Sequence, residues 1–75
     1  MNNENKTVSA KQVGAKIKLL RTANGLTQVQ VAKKAKMSVS YFGLIERGKA
    51  SSTVLTLFRI SKALRVEVYK LFIKG

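Results

Sequence analysis

The chain contains no cysteine and no histidine, and only three of its 75 residues are acidic. Without cysteine there can be no disulfide and no thiolate chemistry. Without either residue the usual zinc sites cannot form, so we expect no metal ion. Three scattered carboxylates offer little for acid–base catalysis, and no Gly-rich phosphate loop is present. We therefore expect no catalytic residue, no cofactor and no enzyme activity.

Long apolar runs are also missing. No stretch of the sequence approaches the roughly 20 residues that span a bilayer, and the N-terminus lacks the apolar segment of a signal peptide. We therefore expect a cytoplasmic protein with no membrane partner. One domain is the upper limit for 75 residues, and 45% apolar residues suffice for a globular core. We assign residues 1–7 to a flexible N-terminal arm and residues 8–75 to the domain.

Basic residues, in contrast, are abundant. Fifteen lysines and arginines against three acids give a formal net charge of +12. Such an excess on a small surface repels itself unless an anionic partner offsets it. Nucleic acid is the first candidate for that partner and an anionic membrane surface is the second. The basic residues of the first predicted helix, Lys11, Lys16, Lys18 and Arg21, lie mostly off its apolar stripe, and we interpret most of them as a solvated face.

Residues 26–49 form the most informative stretch of the sequence. Thr27 and Gln30 fit a capping box, which predicts that a helix begins after Thr27. Ser38 is another good N-cap, so a second helix should begin there. Only residues 35–37 separate the two helices. So short a connection requires a sharp turn, and the stretch is therefore predicted to be a helix-turn-helix.

Similar signals delimit the other helices. Ser9 and Gln12 form a capping box for a helix over residues 10–24, and Gly25 can end it because glycine adopts positive φ without steric cost. Further helices are predicted over residues 54–64 and 68–73. The side chains expected to face the core are Val13, Ile17, Leu20, Val31, Ala35, Phe42, Ile45, Val54, Leu57, Ile60 and Leu64. The last helix adds the apolar residues Val68, Leu71 and Phe72.

Several short motifs between residues 13 and 72 occur together: Leu26-Thr27-Gln28, Val31-Ala32, Ser38, Tyr41, Ile45-Glu46-Arg47-Gly48-Lys49, Thr56-Leu57, Ile60, Lys62-Ala63-Leu64 and Val66. In combination they resemble the Cro and phage-repressor family, also called the XRE family, of helix-turn-helix DNA-binding regulators. The resemblance implies an all-α, compact, five-helix, lambda-repressor-like domain. It also implies that the third helix lies in the major groove of DNA.

The sequence departs from the family pattern in two respects. The family usually has glycine at the end of the second helix and often after the fourth, where this chain has Lys36 and Arg65. A left-handed residue other than glycine costs about 1 kcal/mol, so either strain is tolerated or the turns differ. Family recognition helices also often carry Gln, Asn or Arg at exposed positions, where Val39, Gly43 and Leu44 stand here.

The resemblance and the helix ends together indicate phosphate contacts. Thr27 and Gln28 stand at a helix start, where free N–H groups can meet phosphate. Arg47 and Lys49 flank the loop that follows the third helix, and they should also contact phosphate. The alternative is that both are solvated charges. Tyr41 is either a phosphate donor through its hydroxyl or a ring packed at the edge of the core.

Contacts to bases should come from the start and the outer face of the third helix. Val39 and Leu44 can touch only thymine methyl groups, whereas Ser40 can hydrogen-bond several base edges. Gly43 costs roughly 1 kcal/mol relative to alanine inside a helix, and close approach of DNA or chance would explain it. The complete set of predicted DNA-binding residues is Thr27, Gln28, Ser38, Val39, Ser40, Tyr41, Gly43, Leu44, Arg47 and Lys49.

Two further groups of residues are assigned to structure and assembly. The family resemblance places Arg21 opposite Glu46, as a salt bridge between the first and third helices. The final segment contains more apolar side chains than one short helix can turn inward, which predicts an exposed association surface. The predicted dimer interface consists of Val68, Tyr69, Phe72 and Ile73.

These observations predict a repressor-type transcriptional regulator. We expect it to bind a palindromic operator in double-stranded DNA as a homodimer, with half-sites about 34 Å apart. Two alternatives remain open. One is an antitoxin or controller-type protein that has a protein partner and regulates its own gene. The other is a binder of RNA or of an anionic membrane that relies on net charge alone.

Overall fold

The computed structural model describes residues 8–73, which contain four α-helices, one 3-10 helix and no strand. The helices are α1 (Ala10–Ala23), α2 (Gln28–Lys34), α3 (Val39–Glu46) and α4 (Val54–Leu64), followed by the 3-10 helix Val68–Phe72. The predicted all-α class is confirmed, with the difference that the fifth helix is a 3-10 helix. The predicted arm, residues 1–7, lies outside the described residues. None of the described helices is long and apolar enough to cross a membrane.

The helix starts follow the predicted caps. The Ser9 hydroxyl accepts the Gln12 N–H at 3.1 Å, and the Gln12 side chain accepts the Ser9 N–H at 2.9 Å. Thr27 and Gln30 form the same reciprocal pair, at 3.1 and 2.8 Å. Each box satisfies two donors that the helix itself leaves without partners. Both predicted capping boxes are therefore confirmed.

All four α-helices end in the same way, with a residue at positive φ. Gly25 and Gly48 have φ of 68° and 71°, and Lys36 and Arg65 have 59° and 60°. At each end the N–H of the following residue donates to a carbonyl five positions earlier, for example Met37 to Ala32 at 2.9 Å. This is the hydrogen bond of a Schellman motif. At Lys36 and Arg65, the two departures from the family pattern, the turn is therefore the same, and a residue other than glycine adopts the left-handed conformation.

The core lies where α3 packs between α1 and α2, while α4 packs on α2 and the 3-10 helix packs on α1 and α4. Its fully buried side chains include Ile17, Val31, Phe42, Ile60, Leu64 and Leu71. The prediction that Val54 faces the core is wrong, because its side chain is 81% exposed. Side chains on a helix point back towards its N-terminus, so the first residue of α4 lies over the preceding loop. Phe72, which belongs to the predicted dimer interface, is 42% exposed.

Two glycines bring α1 against the end of α3. A methyl group on Gly14 would lie 2.3 Å from the carbonyl oxygen of Ile45 and 2.5 Å from that of Glu46. A methyl group on Gly48 would lie 2.6 Å from the Cα of Lys11. Carbon atoms do not approach other atoms so closely without a shift of the backbone. The helices therefore pack backbone to backbone, which fixes the position of α1 relative to α3.

Candidate nucleic-acid interface

The helix-turn-helix is formed by α2, the turn around Lys36, and α3. The Ser38 hydroxyl accepts the Tyr41 N–H at 3.1 Å and so caps α3. On the inner side of α3, Phe42 is fully buried and Ile45 is nearly so. These contacts anchor one face of α3 in the core and leave the opposite face at the surface.

The outer face of α3 consists mainly of side chains that reach the surface. Val39 is 42% exposed and Leu44 is 38% exposed, and Ser40 is exposed between them. All three belong to the predicted set of base-contacting residues. The structure thus places these three residues on the accessible side of α3, where a side chain can reach a partner without disturbing the core.

Gly43 differs from its three companions, because it is buried. A methyl group at this position would lie 3.2 Å from the Nη1 atom of Arg47 and 3.9 Å from the side-chain amide of Gln28. The arginine therefore lies back along α3, across the glycine and next to the first residue of α2. Gly43 makes room for this arrangement, which offers a structural reason for a glycine inside the helix.

Tyr41 combines packing with a hydrogen bond. Its ring is half-buried and packs against the core, which agrees with the predicted alternative of a ring at the edge of the core. Its hydroxyl donates to the backbone carbonyl of Ser51 at 3.1 Å. Tyr41 therefore holds the loop between α3 and α4, in which the exposed Lys49 lies. A phosphate contact by Tyr41 stays a prediction.

Glu46 links the three N-terminal helices. Its carboxylate accepts hydrogen bonds from Arg21 Nε at 2.5 Å and from Arg21 Nη2 at 3.2 Å. It also accepts the Gln28 side-chain amide at 2.9 Å. Arg21 donates further to the carbonyl of Leu26 at 2.9 Å, so one buried network connects α1, α2 and α3. The structure thus brings Arg21 and Glu46 together, and it adds Gln28 to the pair.

Two residues of α1 that were interpreted as solvated charges lie beside this network. Lys11 and Lys18 line a surface depression of about 420 Å³, together with Gln28, Glu46 and Arg47. A signal for this placement was present in the sequence. Lys11 and Lys18 are seven residues apart, so they share a helix face, and the small residue Gly14 between them lies at the contact with α3.

Apolar side chains are exposed at the other end of the domain. Tyr69, Phe72 and Ile73, all in the predicted dimer interface, are between 42% and 57% exposed. Val68, the fourth member, is partly buried against the core. The exposed side of α4 adds Leu55 and Phe58, which the sequence analysis did not select.

Comparison with known proteins gives a consistent result. The profile of the helix-turn-helix family matches residues 17–71. Over 56 residues, 75% of this chain, the sequence is 43% identical to the immunity repressor of Bacillus phage phi105, and the match spans 39% of that repressor. An HTH-type transcriptional regulator of Sinorhizobium fredii is 39% identical over 56 residues, which are 75% of this chain and 73% of that protein.

Solved structures agree with the sequence relatives. The restriction-modification controller protein C.AhdI from Aeromonas hydrophila superposes with a TM-score of 0.82 and 32% identity, covering 84% of this chain and 96% of that one. The clp gene regulator ClgR from Corynebacterium glutamicum has the same fold, with a TM-score of 0.81. Family profile, sequence relatives and fold converge, and the chain belongs to the XRE-type helix-turn-helix family of DNA-binding transcriptional regulators.

Proposed function

We propose that the protein is a repressor that binds a palindromic operator in double-stranded DNA as a homodimer. The observation that carries the proposal is the outer face of α3, where Val39, Ser40 and Leu44 are exposed while the inner face is locked in the core. A helix presented in this way fits the major groove, which admits one α-helix. We propose that it acts in the cytoplasm, where bacterial DNA lies, because the relatives that match are a phage protein and a bacterial protein.

The chemistry of that face predicts the type of operator. Val39 and Leu44 offer only apolar contacts, which favour the C5-methyl group of thymine. Ser40 adds a hydroxyl that can donate to or accept from a base edge. We therefore propose that thymine methyl groups in each half-site account for much of the sequence preference.

Phosphate contacts should set the register of α3 in the groove. Gln28 and Arg47 lie side by side across Gly43, and Lys49 is exposed in the loop that follows α3. The remaining predicted contacts, Thr27, Ser38 and Tyr41, engage their side chains in caps or loop contacts. We propose that Gln28, Arg47 and Lys49 supply most of the phosphate binding within the helix-turn-helix.

A homodimer would pair two recognition helices about 34 Å apart, as a palindromic operator requires. Exposed Tyr69, Phe72 and Ile73 support an association surface at the C-terminal end. Leu55 and Phe58 on α4 provide further exposed apolar area. Burial of such side chains in a second copy is favourable at about 25 cal/mol per Å² of apolar surface.

A controller-type regulator is the second candidate, because the C.AhdI controller protein superposes with a TM-score of 0.82 and is 32% identical. Both candidates require sequence-specific binding to duplex DNA. They differ in the promoter that is bound. Sites adjacent to restriction–modification genes would favour the controller, and sites adjacent to prophage or unrelated genes would favour the repressor.

The proposal is tested by selecting bound duplexes from a random pool with the wild-type protein and then comparing variants. Ser40→Ala and Leu44→Ala should each reduce discrimination between selected and random DNA roughly fivefold or more, the cost of about 1 kcal/mol per lost base contact. Leu19→Ala is a matched control, because Leu19 is an exposed leucine on α1. Lys49→Ala should weaken binding to both duplexes alike. Recovery of no preferred sequence would refute the proposal.

A further inference from the structure

The depression between α1 and the helix-turn-helix carries positive charge from two separate parts of the fold. Lys11 and Lys18 come from α1, and Arg47 comes from the end of α3. All three residues are exposed, and none has an acidic partner among residues 8–73. Three unpaired cations around one depression repel each other in the absence of an anion. The arrangement is therefore one that an anion stabilises.

The acidic residue in this depression does not cancel the attraction. Glu46 is only 6% exposed, and Arg21 and the Gln28 amide donate to its carboxylate. Its charge is thus already compensated by Arg21 from the buried side. The second N–H of the Gln28 amide is left over after the bond to Glu46, because the NH₂ group has two donors. The depression combines three cations with one amide donor.

The cations are also held at fixed positions relative to the recognition helix. The Lys11 backbone packs directly against Gly48, where a methyl group would lie 2.6 Å from the Lys11 Cα. One turn further along α1, Gly14 packs against the carbonyls of Ile45 and Glu46. Because α1 cannot slide on α3 without steric clash, the lysine side chains start from a scaffold that is rigidly tied to α3.

We propose that Lys11 and Lys18, with Gln28 and Arg47, form a phosphate-binding cradle that holds the DNA backbone beside the groove entered by α3. The inference rests on the proposed function and extends it, because it assigns α1 a direct part in DNA binding. The shared chemistry of the ligand is a phosphate group, and the source is the phosphodiester of duplex DNA. A depression of about 420 Å³ has room for such a group with part of its hydration.

The test compares two double variants of equal charge. Lys11→Gln/Lys18→Gln removes the α1 cations of the cradle. Lys33→Gln/Lys34→Gln removes two exposed cations from the end of α2, where Lys34 lines a different depression with Asn24 and Arg65. Both variants lose the same net charge, so any difference reflects position. Circular dichroism confirms that both remain folded.

Binding of each protein to its selected duplex is then measured between 50 and 200 mM salt. Each lost phosphate contact lowers the slope of log affinity against log salt by about 0.9, which corresponds to a roughly 3.5-fold smaller loss of affinity over this range. The cradle variant should lose close to two contacts and the control variant none. Equal slopes for the two variants would overturn the cradle while the proposed function stands.

Two further arms locate and identify the ligand. Neutral methylphosphonate substitutions, placed one at a time in the operator, should weaken the wild type at one or two positions and should weaken the cradle variant less at those positions, because only Gln28 and Arg47 of the cradle remain. Inorganic phosphate, compared with chloride at equal ionic strength, should not displace DNA selectively. Selective displacement by phosphate that disappears in the cradle variant would assign the site to free phosphate and overturn the DNA assignment. A wild type that binds no duplex at all would refute the proposed function itself.

Discussion

The two glycines inside helices provide a matched pair of substitutions with opposite expected effects. Alanine is favoured over glycine within a helix by about 1 kcal/mol, so both Gly14→Ala and Gly43→Ala begin with the same gain. At Gly14 the new methyl group would lie 2.3 and 2.5 Å from two backbone carbonyl oxygens of α3. At Gly43 it would lie 3.2 Å from the terminal Nη1 atom of Arg47, which a rotation of the side chain can move.

The clash at Gly14 can be relieved only if α1 and α3 separate by about 1 Å, since neither carbonyl can rotate. Overpacking of this kind costs typically 1–3 kcal/mol, and the lost burial between the helices adds to that cost. After the helix-propensity gain we expect Gly14→Ala to lower the free energy of unfolding by about 2 kcal/mol. Gly43→Ala should raise it by up to about 1 kcal/mol.

Thermal unfolding followed by circular dichroism measures both effects. For a domain of this size 1 kcal/mol corresponds to about 4–8 °C in Tm, so Gly14→Ala should melt roughly 10 °C below the wild type and Gly43→Ala slightly above it. Urea titration supplies the free energies independently. Equal stabilities for the two variants would show that the backbones of α1 and α3 are not in close contact.

Three other outcomes follow from the contacts described. Glu46→Gln should destabilise the fold by about 3 kcal/mol, because it leaves the part-buried Arg21 without a counter-charge; a double-mutant cycle with Arg21→Met by urea denaturation should show coupling, and additive effects would contradict the pair. Arg65→Gly should stabilise the domain by about 1 kcal/mol in the same assay, since φ at this position is 60°; a loss of stability would contradict the left-handed turn. Phe72→Ala and Ile73→Asp should weaken self-association about tenfold in sedimentation equilibrium, with an unchanged circular dichroism spectrum, whereas an unfolded Phe72→Ala variant would show that the ring closes the monomer core.

Much of the fold follows from local rules that act within one turn of helix. The boxes at Ser9 and Thr27 involve residues only three apart, so the hydrogen bonds of both could be predicted from the sequence. The bounds of α4 agree with the predicted residues 54–64. The exposed positions of Val39 and Leu44 also follow from helical periodicity, because Phe42 and Ile45 occupy the opposite face.

The missed features depend on contacts between helices. Nothing near Gly14 in the sequence indicates that two carbonyls of α3 would lie against it. Val54 has the correct spacing from Leu57 to face the core, yet its side chain is exposed, because the first residue of a helix points back past the helix end. The shared face of Lys11 and Lys18 follows from their spacing, but their proximity to Arg47 arises only from the crossing of α1 with α3.

The contrast between the glycine contacts of α1 with α3 and the outer face of α3 also has an evolutionary consequence. Gly14 and Gly48 tolerate no side chain without displacement of α1. We therefore expect few substitutions at these two positions during evolution. Val39, Ser40 and Leu44 are exposed, and exchanges at such surface sites usually change stability by less than about 0.5 kcal/mol. A duplicated copy of the gene could therefore acquire a new operator through changes on the outer face of α3, while its fold stayed intact.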